Sequence, residues 1–398
     1  MQDRFSITPP AWLTEGPVAR VLALLPGARA VGGAVRDTLA GLAVADIDLA
    51  TELPPELVAR RLQQAGIKVV PTGITHGTVT AVADGQPIEI TTLRRDVATD
   101  GRHAVVAFDA DWREDALRRD FTINAMSLGP DGTLFDYFGG RADLAAGRVR
   151  FVGDASARIS EDFLRALRWF RFQARYGRGA PDAQALAAIT AAAPQLQRLS
   201  AERVWGELKR ILGAPDPRGA LALMEQTGVL HVVLPEGANL AALNVLVAVG
   251  APADPLLRFS VLLGDTDIAA PARRLRLSRD EAGQLGAVRH PDLWGLYPGI
   301  DDAALRRLLF YFDPDLLIAS TWHTQSEPDP VWDQLRARIA AMPAPHFPLR
   351  AVDVGLPEGP RVGQVLAAMR GLWLAGGCVA DRETLAAEAR RRIAAGLL

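Results

Sequence analysis

Residues 31–51 read VGGAVRDTLAGLAVADIDLAT, and this stretch indicates the fold of the N-terminal part of the chain. Gly32 and Gly33 separate a β-rich run from a helical pattern. A second β-rich run follows, in which Asp46 and Asp48 alternate with apolar residues. Because successive side chains of a strand point to opposite faces, the two carboxylates should emerge on one side. The stretch therefore predicts a mixed α+β domain with an acidic pair at a strand.

The pair formed by Asp46 and Asp48 is a candidate metal site. Two carboxylates on one face favour a divalent cation, and ligands that are all oxygen favour Mg²⁺, which takes substrate phosphate oxygens as further ligands. An Asp-x-Asp sequence is also typical of an ordinary turn at a strand end. Glu89, in PIEITTLR, alternates with Ile88 and Ile90 and could supply a third acid, or could simply face solvent.

The paired glycines are a candidate phosphate site. Glycine lets a ligand approach the backbone closely, and the N–H groups at a helix N-terminus bind phosphate. Arg36, one turn into the predicted helix, could add a charge-assisted hydrogen bond. The alternative is a plain Gly-Gly turn with a surface arginine. The sequence is not the G-x-G-x-x-G fingerprint, which disfavours a nicotinamide enzyme.

The pattern of secondary structure changes along the chain. Short β-rich runs, with helical patterns between them, occupy residues from about 28 to 140, and the turns Asp84-Gly85 and Asp131-Gly132 predict hairpins. After about residue 150 the apolar residues recur with helical periodicity to the end of the chain. Asp-Pro pairs at 216–217, 254–255, 313–314 and 329–330 suit helix starts, and Ser278 with Glu281 predicts a capping box.

Composition excludes several classes of protein. The 398 residues are 49% hydrophobic and 23% charged, with a net charge of -2, which is typical of a globular protein of more than one domain. The longest apolar run, residues 240–250, is too short to span a membrane. One cysteine, Cys378, and six scattered histidines match neither a disulfide framework nor a zinc site. The N-terminus is unlike a signal or transit peptide. We expect a cytoplasmic protein with no membrane segment and no zinc.

A local excess of positive charge is compatible with a nucleic-acid partner. Between residues 158 and 218 there are eleven Lys or Arg and six Asp or Glu, although the whole chain is nearly neutral. This segment is the best candidate for a surface that binds a polyanion. A solvated helix face would have the same composition.

Three motifs, in order and spacing, resemble those of the class II tRNA nucleotidyltransferases, which are the CCA-adding enzymes and the related bacterial poly(A) polymerases. They are VGGAVRDTLAGLAVADIDLAT, RRDFTINAMSL at 118–128 and RISEDFLRALRWFRFQARYG at 158–177. Weaker resemblance continues through THGTV, ITTLRRD with DGRH, SAERVWGELKRIL, ALALMEQTGVLHVVLPE and VDVGLPEGPRVGQVL. The resemblance therefore covers most of the chain.

The resemblance implies a fold and a domain order. A head domain of polymerase-β-like nucleotidyltransferase fold would occupy residues 1–148. All-α neck, body and tail domains would follow at 149–215, 216–342 and 343–398, with the neck selecting the nucleobase and the tail holding tRNA. Some family members carry a phosphohydrolase domain with an adjacent His-Asp pair, which this sequence lacks.

The resemblance also assigns site residues. Asp46 and Asp48 would bind the metal ions, and Gly32, Gly33 and Arg36 would hold the triphosphate. Arg119 and Asp120 would contact the phosphate or ribose of the incoming nucleotide, with Asp120 accepting a hydrogen bond from the 2′-hydroxyl. Taken alone, Arg118-Arg119-Asp120 could be a salt-bridged turn.

The family pattern E-D-x-x-R suggests how protein side chains could select the incoming nucleotide in place of a nucleic-acid template. Projected as one helix, residues 159–175 place Ile159, Phe163, Leu167, Phe170 and Ala174 on one apolar stripe, with Asp162 and three arginines on the remaining side. Cytosine and adenine both present an amino donor beside a ring acceptor, so Asp162 and Arg165 could pair with either base and reject guanine and uracil. Arg168 and Arg171 would reach the triphosphate or the primer backbone.

The expected reaction is template-independent addition of CCA to the 3′ end of tRNA from CTP and ATP, with Mg²⁺ and release of pyrophosphate. Rival activities in the same superfamily are poly(A) synthesis and addition of CC or A alone. A rival of another class is a catalytically silent RNA-binding protein. His76 and His103 lie in resembling stretches, and the sequence leaves open whether either contacts a ligand.

Overall fold

A computed structural model describes residues 3–73, 77–100, 103–107, 111–289 and 296–397. The chain divides into two compact units, Met1–Pro235 and Glu236–Leu398. The first unit carries the mixed sheet and the helices that follow it, and the second is helical. The predicted fold class, an α+β head followed by all-α segments, is confirmed. None of the described helices is both long and apolar enough to cross a bilayer.

In its described residues, the first unit contains an eight-stranded mixed sheet, in the order β1-β10-β9-β2-β3-β6-β5-β4, and a separate pair, β7-β8. The strands are β1 (Arg4–Ser6), β2 (Arg29–Val31), β3 (Asp48–Thr51), β4 (Lys68–Gly73), β5 (Thr78–Ala83), β6 (Gln86–Thr92), β7 (Arg95–Asp100), β8 (His103–Ala107), β9 (Met126–Leu128) and β10 (Thr133–Asp136). Neighbouring strands are antiparallel except β3 and β6, which run parallel with Asp48 opposite Glu89.

The predicted hairpins are present. Asp84 and Gly85 join β5 to β6 with φ of 52° and 80°, the left-handed pair that a tight two-residue turn requires. Strand β1 lies outside the region from about 28 to 140 in which the sequence predicts β structure. The residues before β9 form a 3₁₀ turn, Thr122–Asn124.

Twelve α-helices belong to the described part of the first unit. They are α1 (Ala11–Thr14), α2 (Gly16–Leu24), α3 (Gly33–Leu39), α4 (Pro55–Gln64), α5 (Trp112–Leu117), α6 (Gly140–Ala146), α7 (Ala155–Glu161), α8 (Leu164–Tyr176), α9 (Ala183–Ala192), α10 (Ala201–Leu212), α11 (Arg218–Gln226) and α12 (Val229–Val233), with a 3₁₀ turn at Ala193–Arg198. Helix α8 packs on α10 and α11. Residues 216–235 lie in the first unit, whereas the resemblance implies that the body begins at 216.

The prediction of one continuous helix over residues 159–175 is wrong. Helix α7 ends at Glu161, Asp162 adopts an extended conformation with φ of −155° and ψ of 108°, and α8 begins at Leu164. The Asp162 carboxylate accepts a hydrogen bond from the backbone N–H of Leu164 at 3.1 Å, which stabilises the turn. Asp162 thus occupies a break between two helices, where its side chain is not confined to a helix face.

The second unit contains nine α-helices in its described part. They are α13 (Leu240–Ala248), α14 (Pro255–Leu262), α15 (Ala269–Arg274), α16 (Arg279–Val288), α17 (Asp302–Tyr311), α18 (Pro314–Thr324), α19 (Pro330–Ala341), α20 (Pro360–Ala375) and α21 (Arg382–Ala394), with a 3₁₀ turn at Ala351–Asp353. One apolar cluster involves residues 296–342, and another is centred on residues 349–389.

The helix-start predictions mostly hold. Asp254, Asp313 and Asp329 each cap a helix through a side-chain hydrogen bond, and Ser278 with Glu281 forms the predicted capping box. Asp216 is the exception. Its carboxylate forms an ion pair with Arg218 at 2.7 Å and accepts from the Arg218 backbone N–H, while the N-cap position belongs to the following proline.

Candidate nucleotide-binding site

The glycine turn brings the backbone against an arginine. Strand β2 ends at Val31, and Gly32 turns the chain into α3 with a φ of 69°, a conformation that side chains disfavour. A Cβ atom at Gly32 would lie 3.0 Å from Nη1 of Arg119, and one at Gly33 would lie 3.6 Å from Nη2 of Arg36. The absence of side chains at both positions leaves the start of α3 open beside two guanidinium groups.

Arg36 projects from α3 and is held in place by several groups. Its Nε and Nη2 donate to the two carboxylate oxygens of Asp37, each at 3.0 Å, and its Nη1 donates to Asn124 Oδ1 at 2.7 Å. The guanidinium carbon lies 4.6 Å from the centroid of the Tyr176 ring and 5.0 Å from that of Phe172. This cation is therefore fixed beside the glycine turn.

The acidic pair lies where strand β3 begins. Asp46 and Asp48 are exposed, and Ile47 between them is buried, so the predicted alternation of faces is present. Asp46 itself precedes the strand. Glu89 is also exposed, at the position of β6 that pairs with Asp48.

The charges around Asp48 fit a divalent cation. Partial withdrawal from water raises the pKa of Asp48, the negative charges of Glu89 and Asp46 raise it further, and Arg119 opposes them. Within the described ranges, no three His, Cys, Asp or Glu side chains converge on one metal position. Mg²⁺ is commonly bound by one or two carboxylates, with water and substrate phosphates as its other ligands. The acidic pair fits that donor set and leaves coordination positions for a nucleotide.

The RRD motif lies beside the glycine turn, with Asp120 buried and its two arginines partly buried. Arg119 contacts Asp115 at 3.4 Å, and burial lowers the pKa of its guanidinium. Asp120 Oδ1 accepts from Asn124 and from the backbone N–H of Phe121, and its Oδ2 accepts from Nε and Nη2 of Arg168, at 2.7 and 2.5 Å.

These hydrogen bonds set the state of Asp120. Burial by itself would raise the pKa of Asp120, but the charge of Arg168 and the donated hydrogen bonds hold it below its usual range. All four acceptor positions of the ionised carboxylate are in use. A ribose 2′-hydroxyl, which the resemblance implies as a partner of Asp120, would have to displace one of these donors.

Asp162 and Arg165 point into the same cavity but bind different partners. Arg165 pairs with Glu161 at 2.5 Å and donates to the carbonyl of Arg158. Asp162 pairs with Arg203, on α10, at 2.6 Å. Arg203 is not among the site residues predicted from the sequence. Its position in SAERVWGELKRIL, four residues before the buried Glu207, is a signal that could have pointed to it.

Two further arginines follow on α8. Arg168 donates to the carboxylate of Asp120. Arg171 contacts Glu207 at 3.4 Å, and burial lowers the pKa of Arg171 to about 10. Glu207 is 3% exposed, and one of its carboxylate oxygens has no hydrogen-bond partner. Arg168 and Arg171 are therefore each held by an ion pair with a buried acid, Asp120 and Glu207 respectively.

One cavity of about 480 Å³ contains most of the predicted site. Its lining includes Gly32, Gly33, Arg36, Asp48, Arg119, Asp120, Asp162, Arg165, Arg168 and Arg171, together with Asn124, Leu164, Phe172 and Arg203, which the sequence analysis did not select. Asp46 and Glu89 are not among the lining residues. His76, residues 101–102 of the DGRH loop and the side chain of His103 lie outside what the structure describes.

The lining of this cavity is strongly cationic. It carries six arginines and three aspartates, an excess of positive charge that suits a polyphosphate. The start of α3, the acidic strand and the break before α8 meet around one space. Groups that can hold phosphates, a metal ion and a planar base are thus within reach of one bound molecule.

Two family models match the sequence. One, described as "Poly A polymerase head domain", covers residues 28–150. The other, described as "Probable RNA and SrmB- binding site of polymerase A", covers residues 180–240. The first match includes the glycine turn, the acidic strand and the RRD motif, and the second begins after the residues of α8.

Curated relatives and a solved structure are similar over nearly the whole chain. The mitochondrial CCA tRNA nucleotidyltransferase 1 of Mus musculus is 38% identical over 377 residues, covering 90% of this chain and 85% of that protein. The CCA-adding enzyme of Geobacillus stearothermophilus is 33% identical, covering 85% and 86%. The crystal structure of the Bacillus stearothermophilus CCA-adding enzyme in complex with CTP superposes with a TM-score of 0.76 at 27% identity, covering 98% of this chain and 99% of that one.

Proposed function

The chain belongs to the tRNA nucleotidyltransferase family that contains the CCA-adding enzymes, and on that premise we propose that it adds C, C and A to the 3′ end of tRNA. The substrates are CTP, ATP and a tRNA that lacks part or all of its CCA end, and pyrophosphate is released. The observation that carries this proposal is the single cavity in which Arg36, Asp48 and Asp162 meet. The reaction needs a side chain that recognises the base, a cation that binds the phosphates and a carboxylate near the reacting phosphate. Asp162, Arg36 and Asp48 are placed to supply these three functions.

Phosphate binding is assigned to the start of α3 and its arginines. The triphosphate lies against Gly32 and Gly33, where the backbone is accessible, and Arg36 and Arg119 offset its charge. Arg168 and Arg171, from α8, extend the positive surface toward the leaving pyrophosphate or the primer backbone. Their buried partners Asp120 and Glu207 keep both guanidinium groups in position before the nucleotide arrives.

Asp46 and Asp48 would hold Mg²⁺, and Glu89 is a third acid within electrostatic reach of Asp48. When bound, such cations assist deprotonation of the tRNA 3′-hydroxyl and neutralise charge on the departing pyrophosphate. The protein fixes the carboxylates at the start of β3, on the side of the strand opposite the buried Ile47. The 3′-oxygen attacks the α-phosphorus, and the bond from that phosphorus to the β-phosphate oxygen breaks.

Base selection is assigned to Asp162 and Arg165. An Asp acceptor and an Arg donor match the amino group and ring nitrogen of cytosine or adenine, whereas guanine and uracil present the reverse order. Arg203 holds Asp162 by an ion pair, which limits the directions that its carboxylate can take. A mismatched base would leave buried polar groups unpaired, which lowers its reactivity.

We still assign Asp120 to contact with the ribose of the incoming nucleotide. Its carboxylate also has a second role, because it holds Arg168 by two hydrogen bonds. Contact with a 2′-hydroxyl requires exchange of one of its four present hydrogen bonds. The exchange would loosen Asp120 from Arg168 or Asn124 as the nucleotide binds.

The remaining assignments concern tRNA and compartment. We assign tRNA binding to the helical segments after residue 149, which would hold the acceptor arm, with residues 343–398 as a tRNA-binding tail. The cytoplasm is the proposed compartment, supported by a sequence whose one cysteine excludes an internal disulfide. Because curated relatives include mitochondrial proteins, cell fractionation is the appropriate test.

The proposed activity is tested by sequencing products. A tRNA transcript that ends before CCA is incubated with the protein, Mg²⁺, CTP and ATP, and its 3′ ends are sequenced. Addition of C, C and A, followed by arrest, supports the proposal. A run of A identifies a poly(A) polymerase, addition of CC or A alone identifies a partial enzyme, and absence of pyrophosphate release with every NTP identifies a silent RNA-binding protein. Each of the last three outcomes overturns it.

A further inference from the structure

Arg36 is held by a side chain that comes from a distant part of the sequence. The hydroxyl of Tyr176, at the end of α8, donates to Asp37 Oδ1 at 2.5 Å, although the two residues are 139 positions apart. The same carboxylate accepts from Nε and Nη2 of Arg36. A chain of hydrogen bonds therefore connects α8, the Asp37 carboxylate and a cation that lines the nucleotide cavity.

The aromatic rings reinforce this chain. Phe172 and Tyr176 are four residues apart on α8, a spacing that places both rings on one side of the helix. The guanidinium carbon of Arg36 lies within 5.0 Å of both ring centroids, a distance at which a cation is attracted to a ring face. Tyr176 is 8% exposed, so its ring and hydroxyl have little freedom to turn away.

We propose that Tyr176 and Asp37 are positioning residues for the triphosphate, which they orient through Arg36. This inference rests on the proposed function, since it assumes that Arg36 binds the phosphates of CTP and ATP. Neither Tyr176 nor Asp37 lies in the lining of the nucleotide cavity, whereas Arg36 does. Their effect reaches the nucleotide through the direction of one guanidinium group.

The site of action predicts a particular kinetic pattern. CTP and ATP share the triphosphate and differ in the base, so a fault at Arg36 affects both nucleotides by the same factor. Asp162 lies elsewhere in the cavity, at the break between α7 and α8, and its contacts do not include Tyr176 or Asp37. Discrimination against GTP and UTP should therefore stay constant when the Tyr176–Asp37 contact is removed.

The phenol is suited to this role as a permanent donor. Burial and the hydrogen bond to Asp37 both raise the pKa of Tyr176, so the hydroxyl keeps its proton throughout the physiological range. Burying a hydroxyl beside a carboxylate is favourable when the hydrogen bond is made and costly when it is not. Loss of the Tyr176 hydroxyl removes the hydrogen bond from α8 to Asp37, and the carboxylate that orients Arg36 then has more freedom, although Arg36 still donates to Asn124.

The test uses Tyr176→Phe, which keeps the ring and removes only the donor. We expect the KM values for CTP and ATP to rise by about three- to tenfold and by equal factors, with kcat within about twofold. Asp37→Asn removes the charge that holds the guanidinium and should have the same pattern with a larger factor. Tyr137→Phe is the matched control, because the Tyr137 hydroxyl also takes part in a side-chain hydrogen bond, which it accepts from Arg29, and neither residue lines the cavity.

A double-variant comparison separates positioning from general destabilisation. Arg36→Lys cannot form the paired contact with Asp37, so Tyr176→Phe made in that background should change KM by less than about twofold further. An unchanged KM in Tyr176→Phe alone overturns the inference, as does full additivity of the two substitutions. A wild-type protein that adds no nucleotides overturns the proposed function instead, which keeps the two failures distinct.

Discussion

Asp162 and Arg203 form an ion pair at 2.6 Å across 41 residues of sequence. Asp162 lies in the extended break between α7 and α8, and Arg203 projects from α10. Because the break takes Asp162 out of regular helix, its carboxylate is oriented by a side chain from another helix. The residue assigned to base reading is thus fixed by tertiary contact.

Substitution of this pair should change base selectivity. Asp162→Ala removes the acceptor for the amino group of C and A, so discrimination against GTP and UTP should fall by about 100-fold or more. Arg203→Ala keeps the Asp162 carboxylate but removes the ion pair that orients it, so discrimination against GTP and UTP should fall by about tenfold. Single-nucleotide incorporation with each NTP measures both. Arg218→Ala is the control, since Arg218 pairs with an exposed Asp216. Equal selectivity in all three variants and the wild type contradicts the assignment.

The acidic pair should be required for chemistry and dispensable for folding. Both side chains are exposed, so Asp46→Asn and Asp48→Asn should leave the melting temperature unchanged while kcat falls by at least about 1000-fold. Glu52→Gln, an exposed acid just beyond the same strand, serves as the control and should retain activity. Turnover near the wild-type value in either Asp variant would show that the metal assignment is wrong.

The contact between Gly32 and Arg119 predicts a difference between two glycines that share a positive φ. Gly32 and Gly41, on either side of α3, both have φ of 69°, so alanine at either position should cost at least about 1–2 kcal/mol of stability. A Cβ at Gly32 would press on Arg119, whereas one at Gly41 meets nothing within 4 Å. Gly32→Ala alone should therefore raise the KM for CTP and ATP, by about tenfold. A similar KM in both variants argues against a role for Arg119 in phosphate binding.

The second unit should lose stability in acid through His323. The imidazole is partly buried on α18 and hydrogen-bonded to Ser260, and burial, with a smaller effect of Arg289, lowers its pKa to about 4 from an ordinary 6.5. Because the unfolded chain binds the proton more tightly, this contribution is complete above pH 6.5 and is lost as the pH falls toward 4. The loss should reach about 2 kcal/mol at pH 5.

Urea unfolding of the wild type and of His323→Gln at pH 7.5 and pH 5 measures the contribution of His323 to the free energy of unfolding. The wild type should lose more stability than the variant between the two pH values. His346→Gln, at an exposed histidine, should behave as the wild type does. Parallel losses in wild type and His323→Gln would show that His323 is not the titrating group.

The sequence was most informative where structure depends on near neighbours. Strand alternation places Asp46 and Asp48 on one side, and the Asp84-Gly85 turn joins two strands, because both features follow from backbone geometry over a few residues. The helix prediction over 159–175 failed for a related reason. Apolar periodicity continues across Asp162, so the pattern gives no sign that the backbone leaves the helix there.

What the sequence determined by itself was therefore the fold class and the order of the motifs, since periodicity, turn chemistry and motif spacing are properties of the chain, and the resemblance of those motifs to a known family pointed to most residues of the cavity. Only the tertiary structure decided which charges meet. Asp120 pairs with Arg168 across 48 residues, and Tyr176 reaches Asp37 across 139. Arginines recur throughout this sequence, and the choice of an acid's partner depends on which helices pack together and on how much water that packing removes.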